Sequence, residues 1–280
     1  MSIFKRSRLR SKKYAKKKRK FFWIKIIFLI ILCALLIYSL SYLSKLQQVA
    51  ISDITVEGNS AVTEDDILSL VEGELDGSYY EIFSKRNIFI YPKRLIEEKM
   101  KDTWKRIDSV KIERVGLSAL AISVTEKKAM FLWCGEKMSA EVKVSDCFFM
   151  DDTGYVFSKA PLFSENVYFR FFGAIAESDP IGSQYLPLAD FQKVSGFIKE
   201  LENNRISATR LLSKGGGEYE VVLSDNNRVL VNEREAFAKT VEHLKTLLES
   251  DSFKKDVKNS PTNIDYIDLR FGNRVFYKFK

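Results

Sequence analysis

The sequence predicts an α+β chain: a single N-terminal transmembrane helix, a β-α-α-β-β segment, and then a mixed, mostly antiparallel β-sheet domain carrying two helices. Three observations predict it. Residues 21–43 form an apolar run behind a basic stretch. Residues 51–126 pass from period-two patterning to helical stripes and back. Residues 127–280 hold many short strand-like runs parted by turn signals, with two longer helical stripes among them.

Charge places the first element. The chain has 280 residues, room for about two ordinary domains. Its net charge of +8 is unevenly spread. Residues 1–20 carry eleven Lys or Arg and no acid, and Lys25 and Lys45 follow before any acid. Beyond residue 45, 32 basic groups face 37 acidic ones, so that portion is net −5. The basicity belongs to a tail, which argues against a nucleic-acid-binding fold. It suits a segment that sets topology and meets anionic membrane lipid.

The run F-F-W-I-K-I-I-F-L-I-I-L-C-A-L-L-I-Y-S-L-S-Y-L, Phe21 to Leu43, has the length of a bilayer-crossing helix. Lys25 can snorkel toward the headgroups, and Trp23 with Tyr38 and Tyr42 makes aromatic belts at the two ends. A signal peptide would be shorter and followed by small residues. Here Tyr42-Leu43-Ser44-Lys45-Leu46 follows, a poor cleavage site. The expectation is an uncleaved single-pass anchor with residues 1–20 cytoplasmic and everything after residue 45 outside.

Cys33 lies within the anchor and reads as a small apolar residue. Cys134 and Cys147 lie outside, where disulfides persist. Each ends a strand-like run, and a bridge closing the loop between them is expected. Zinc is not, because no further Cys or His stands at ligand spacing.

In the segment 51–126, Ile51 to Glu57 alternates as a strand and Gly58-Asn59-Ser60 turns the chain. Thr63 before Glu64-Asp65-Asp66 gives an N-cap and an acidic first turn to a helix through Val71. A loop with Tyr79, Tyr80, Phe83, Phe89 and Tyr91 leads to Pro92, which opens a second helix with Leu95, Ile96, Met100 and Trp104 as its stripe. Strands follow at 110–115, facing inward with Val110, Ile112 and Val115, and at 120–126, with Leu120, Ile122 and Val124.

Over 127–280 the strand-like runs are 129–134, 147–151, 155–158, 167–172, 207–213, 218–223 and 228–231. Leu188 to Asn203 is a helix with Leu188, Phe191, Val194, Phe197, Ile198 and Leu201 on one face. Asn232-Glu233-Arg234-Glu235 resembles a capping box opening a second helix with Phe237, Val241, Leu244 and Leu248. Gly215-Gly216-Gly217 is a turn, since no Lys-Ser/Thr follows it as in a phosphate loop.

The order β-α-α-β-β with V-E-G-N-S at its first turn and I-S-V-T-E-K-K-A at its end resembles a POTRA domain of the FtsQ/DivIB cell-division family. Tyr266-Ile267-Asp268-Leu269-Arg270 followed by Phe271-Gly272-Asn273-Arg274-Val275 closely resembles the end of that family's β-domain. The resemblance covers nearly the whole chain: tail 1–20, transmembrane helix 21–43, POTRA 51–126 and β-domain 127–280. Lys127-Lys128-Ala129 departs from the family's Arg-x-Pro, and Phe271 stands where Tyr is more familiar. The resemblance implies a divisome scaffold without cofactor, enriched at the septum, that recruits FtsB-like and FtsL-like proteins by β-strand addition. Carried over by position, the partner residues are Phe271, Gly272, Asn273, Val275, Phe276 and Tyr277. POTRA is expected to meet other divisome membrane proteins.

The competing chemistry is in F-F-M-D-D-T-G-Y-V-F, Phe148 to Phe157. Asp152-Thr153-Gly154 behind an apolar run is an aspartic-protease signature, which needs two carboxylates sharing a proton. No second copy exists in the chain, so a protease would be a dimer, and Tyr155 stands where a small residue normally follows the Gly. A hairpin turn explains the same letters. His243, the only histidine, sits mid-helix and makes a poor centre for a Ser-His-Asp set. The expectation is no catalytic site and function by binding. The last strand, Arg274 to Phe279, is a candidate edge with apolar groups on both faces, the alternative being an ordinary buried last strand.

Overall fold

The computed structural model describes residues 12–138, 146–161, 167–234, 236–260, 263–272 and 274–280. It divides into two compact units. One runs to Asp102 and resumes over Ser109–Thr125; the other comprises Thr103–Asp108 and Glu126–Lys280.

The first unit opens with helix α1, Lys12–Ser44. Within Lys17–Ser44 an 18-residue stretch reaches a mean hydropathy of 2.7 with none of it buried, so the helix is long and apolar enough to cross a membrane. At about 1.5 Å per residue, the 23-residue run rises about 35 Å, against a hydrocarbon core of about 30 Å.

Strand β1 (Asp53–Glu57) follows. Helix α2 (Glu64–Leu75) starts at Thr63, whose hydroxyl oxygen accepts the Asp66 N–H at 3.2 Å. Its buried residues Ile67, Val71 and Leu75 recur every four positions. A short hairpin, β2 (Ser78–Tyr79) and β3 (Phe83–Ser84), occupies what the sequence reads as loop. Helix α3 (Lys93–Thr103) buries Ile96 and Met100 but leaves Leu95 exposed. Strands β4 (Ile107–Val115) and β5 (Ala119–Glu126) complete a three-stranded sheet of order β1-β5-β4, with β1 parallel to β5. Leu120, Ile122 and Val124 all turn inward on β5. On β4 the buried residues are Ile107 and Ile112, while Val115 is exposed at the turn, contrary to the expected face. Gly58 takes φ +82°, and a Cβ there would fall 2.3 Å from the Val124 carbonyl oxygen, so only glycine fits the first turn.

The second unit is one nine-stranded sheet with helices. In chain order it runs β6 (Phe131–Trp133), β7 (Phe148–Met150), β8 (Val156–Lys159), β9 (Phe169–Phe172), α4 (Leu188–Asn203), β10 (Ala208–Gly215), β11 (Glu218–Leu223), β12 (Arg228–Asn232), α5 (Phe237–Glu249), α6 (Asp251–Asn259), β13 (Ile264–Phe271) and β14 (Arg274–Phe279). The spatial order is β14-β13-β12-β11-β10-β9-β6-β7-β8. The sheet is mixed: β9 pairs parallel with β6 and β10, and β12 with β13, the other neighbours being antiparallel.

The main core joins Phe191, Val194, Phe197 and Leu201 of α4 and Val241 and Leu244 of α5 to Phe171, Leu211, Val221, Val231 and Ile267 of the sheet. Phe171 meets Phe131 edge-on at 5.3 Å and Phe191 at 5.4 Å. Each such ring contributes about 1.5–3 kcal/mol by burial. Leu188, expected inside, is exposed in the first turn of α4. A second cluster holds Leu132, Ala160, Phe172 and the pair Cys134–Cys147, which forms a disulfide with Cα atoms 4.2 Å apart.

Two expectations are corrected. Among the described residues the sheet unit carries three helices, not two. Ser250 ends α5 in extended conformation and caps α6, its hydroxyl oxygen accepting the Phe253 N–H at 3.3 Å. α6 has only two apolar residues, Phe253 and Val257, and buries the first alone, too short a stripe to mark a helix in the sequence. The capping box fails as well: Asn232 belongs to β12, donating its side-chain amide to the Arg270 carbonyl at 3.0 Å, and α5 starts behind Ala236. Glu235 lies outside the described residues.

Candidate functional site

The nine-stranded sheet has two ends, and they differ. At β8 the outward backbone is engaged at its first residue: the Val156 N–H donates to the Ser183 carbonyl at 2.9 Å, and the Gly182 N–H to the Val156 carbonyl at 2.8 Å. At β14 the chain pairs with β13 on one flank and, among the described residues, with no strand on the other. An open edge of this kind offers N–H and C=O groups to an added strand.

β14 reads R-V-F-Y-K-F and alternates between exposed and half-buried. Val275, Tyr277 and Phe279 pack on the core side. Tyr277 stands edge-on to Phe253 at 5.1 Å, and its hydroxyl donates to Asp256 Oδ2 at 2.6 Å, both residues of α6. Arg274, Phe276 and Lys278 are exposed. Phe276 meets Phe271 edge-to-face at 5.5 Å, and the two rings stay 50% and 58% exposed. With Tyr266, Asp268 and Arg274 they line an open depression of about 570 Å³.

The motif Tyr266–Arg270 explains how this floor is held. Ile267 and Leu269 enter the core. Arg270 Nε and Nη2 donate to Asp268 at 2.9 and 2.8 Å, and Nη1 donates to Glu218 at 3.0 Å. Burial alone would raise the Asp268 carboxyl, but the hydrogen bonds and charge of Arg270 outweigh it and hold it below the ordinary carboxylate value. Asp268 in turn raises the Arg270 guanidinium. The Arg270 guanidinium also lies 5.9 Å from the Phe271 ring centre. Neighbouring strands continue this charged face: Lys214 pairs with Glu220 at 2.6 Å, and Arg228 pairs with Glu220 and Asp265.

Of the six expected partner residues, then, Phe271 and Phe276 share the open depression, while Val275 and Tyr277 face the core. Gly272 turns the hairpin with φ +66°, and Asn273 lies outside the described residues. Tyr266, Asp268 and Arg274 complete the depression but were not singled out. Their signal was the alternation of β13 and its register with β14, where Asp268 pairs with Phe276 and Phe271 with Arg274.

The Asp-Thr-Gly stretch forms the β7–β8 turn. Asp152 is exposed at its corner. The neighbouring Asp151 is the buried carboxylate: its Oδ1 accepts from Thr153 N–H at 2.9 Å, Thr153 Oγ1 at 2.6 Å and Tyr155 N–H at 3.1 Å, and its Oδ2 from Lys127 Nζ at 2.8 Å. Burial pushes the Asp151 carboxyl up, but these bonds prevail and set it below its ordinary value. His243 is half-buried on α5, with no hydrogen-bond partner at Nδ1 among the described residues.

Comparison of the chain with protein-family models gives no match, and comparison with curated proteins gives none.

Proposed function

We propose that this chain is a bitopic divisome scaffold of the FtsQ/DivIB kind, acting by binding and not by catalysis. α1 anchors it in the cell membrane with the basic tail in the cytoplasm, and the remainder of the first unit, with the whole second unit, lies outside, at the septum. The first unit acts as a POTRA domain. Its element order, and the parallel pairing of β1 with β5, support that reading. The second acts as the β-domain that recruits FtsB-like and FtsL-like proteins and so links the chain to control of septal peptidoglycan synthesis.

The observation that carries the proposal is the β14 edge, unpaired among the described residues, beside the exposed Phe271–Phe276 pair, while the opposite edge of the same sheet is engaged at Val156. A partner strand would gain backbone hydrogen bonds along β14 and seat an apolar side chain against the two rings. The three-stranded sheet ends in β1, which among the described residues pairs only with β5 and holds Ile54 and Val56 half-buried, and we assign contacts with other divisome membrane proteins to it.

The test is binding of the full-length protein to an FtsB-like segment. An aromatic anchor buried by a partner is worth about 2 kcal/mol or more, about thirtyfold in affinity, so Phe271→Asp with Phe276→Asp together should weaken binding by at least about thirtyfold. Undiminished binding by a folded double variant would reject the site.

A further inference from the structure

The α2–α3 loop contains a feature that strand addition does not use. Its β2–β3 hairpin turns at Tyr80 and Glu81, with φ of +50° and +60°. Left-handed backbone costs a residue with a side chain about 1–2 kcal/mol, and Asn or Gly normally takes such a turn. Here the turn holds out Tyr80, 92% exposed, next to the exposed Ile82.

The hairpin is tied to the end of α1. The Ser41 hydroxyl donates to the Ile82 carbonyl at 2.7 Å, the Ser84 N–H to Ser44 Oγ at 3.4 Å, and the Asn87 side-chain amide to the Ser44 carbonyl at 3.1 Å. Ser41 and Ser44 belong to the last turn of α1. Ser41 lies inside the apolar run that ends at Leu43, about 3 Å from its end at 1.5 Å per residue. Tyr38 and Tyr42 stand exposed on the same helix end. The hairpin therefore meets α1 at the depth where apolar helix gives way to polar chain, the level at which bilayers hold Tyr and Trp.

We propose that Tyr80 and Ile82 dock in the headgroup layer of the bilayer that α1 crosses, giving the first unit a second lipid contact besides its anchor. One helix leaves a domain free to tilt and spin about its attachment. A hairpin hydrogen-bonded to that helix, with its tip in the lipid, removes this freedom and fixes which way β1 points. The proposal rests on α1 spanning the membrane, and the experiment separates the two ideas.

The full chain is reconstituted in phosphatidylcholine vesicles and carries one nitroxide at a time. One label sits on the native Cys33, the others on Tyr80→Cys or Ile82→Cys in a Cys33→Ala background, with Cys134 and Cys147 left in their disulfide. Collision rates with oxygen, which enters lipid, and with a water-soluble nickel chelate are compared with those of a free aqueous nitroxide. The Cys33 label should strongly favour oxygen. Labels at 80 and 82 should lose nickel collisions and give an oxygen-to-nickel ratio between those of Cys33 and the aqueous probe. A deep Cys33 with aqueous ratios at 80 and 82 overturns the hairpin contact alone. A Cys33 open to nickel overturns the spanning helix, and the hairpin contact with it.

Discussion

Replacing Asp151 with Asn removes the charge that Lys127 meets at 2.8 Å, in a site where the two side chains are 7% and 18% exposed. Breaking a buried pair costs about 3–5 kcal/mol. Asp108 still faces Lys127 at 3.3 Å, so the loss should be smaller, about 2–3 kcal/mol by the same principle. Asp152→Asn, at the exposed corner of the same turn, should stay within about 0.5 kcal/mol. Denaturant midpoints measured side by side decide this, and equal shifts would show that Asp151 does not hold the turn. The pH dependence has a definite sign. The folded Asp151 carboxyl lies below its unfolded value, so its contribution is full above about pH 4 and fades as pH falls through the folded value. The gap between wild type and Asp151→Asn should therefore narrow in acid. Gly154 adds a second residue-scale outcome. Its φ is +81°, and a Cβ would lie 2.6 Å from the buried Phe191 ring. Gly154→Ala should cost about 2–4 kcal/mol, part backbone strain and part overpacking. An unchanged denaturation midpoint would mean that Phe191 yields freely.

At the scale of elements, β14 separates fold from binding. Val275→Asp puts a charge against the main core and should destabilise the second unit by more than about 2 kcal/mol. Phe276→Asp, one residue on, points to the open face and should leave the thermal midpoint nearly unchanged while weakening partner binding. If both variants unfolded the protein alike, the two faces of β14 would be wrongly assigned. The sequence could not make that assignment, because Val275, Phe276, Tyr277 and Phe279 place apolar side chains on both faces. What decides it is α6, which covers one face with Phe253 and Asp256. α6 itself was illegible: in a nine-residue, strongly charged helix, Phe253 and Val257 alone make too short a stripe to read. By contrast the start of α2 was legible in its Thr63 cap, though the helix runs to Leu75, four residues past the expected end at Val71. α4 was legible in its boundaries and in Phe191, Val194, Phe197, Ile198 and Leu201, which line it at helical spacing. The strands of the sheet were legible as runs, but their order was not. Parallel pairs such as β9 with β6 and β12 with β13 join segments distant in sequence, and no local pattern encodes that choice.

At the scale of the molecule, charge, anchor and cysteines bear on one question, which side of the membrane each part occupies. Eleven basic residues in 1–20 favour a cytoplasmic tail, and residues 44–63, on the other side of the apolar run, hold a single basic residue, Lys45. The Cys134–Cys147 pair bears on it independently, because a disulfide persists outside the cytoplasm and is reduced within it. Cys33, exposed on the apolar stretch of α1, is the remaining thiol of three. Protein taken from growing cells, quenched in acid and alkylated under denaturing conditions should therefore gain one label before reduction and three after it. Three labels before reduction would put the second unit in a reducing compartment and reverse the proposed topology. The bridge should also matter for stability. Closing a loop of this length restricts the unfolded chain by about 3 kcal/mol, so reduction should lower the denaturation midpoint of the second unit without abolishing its fold. The main core, built on Phe171, Phe191 and Ile267, lies in a different cluster from the two sulfurs and keeps its packing when they part.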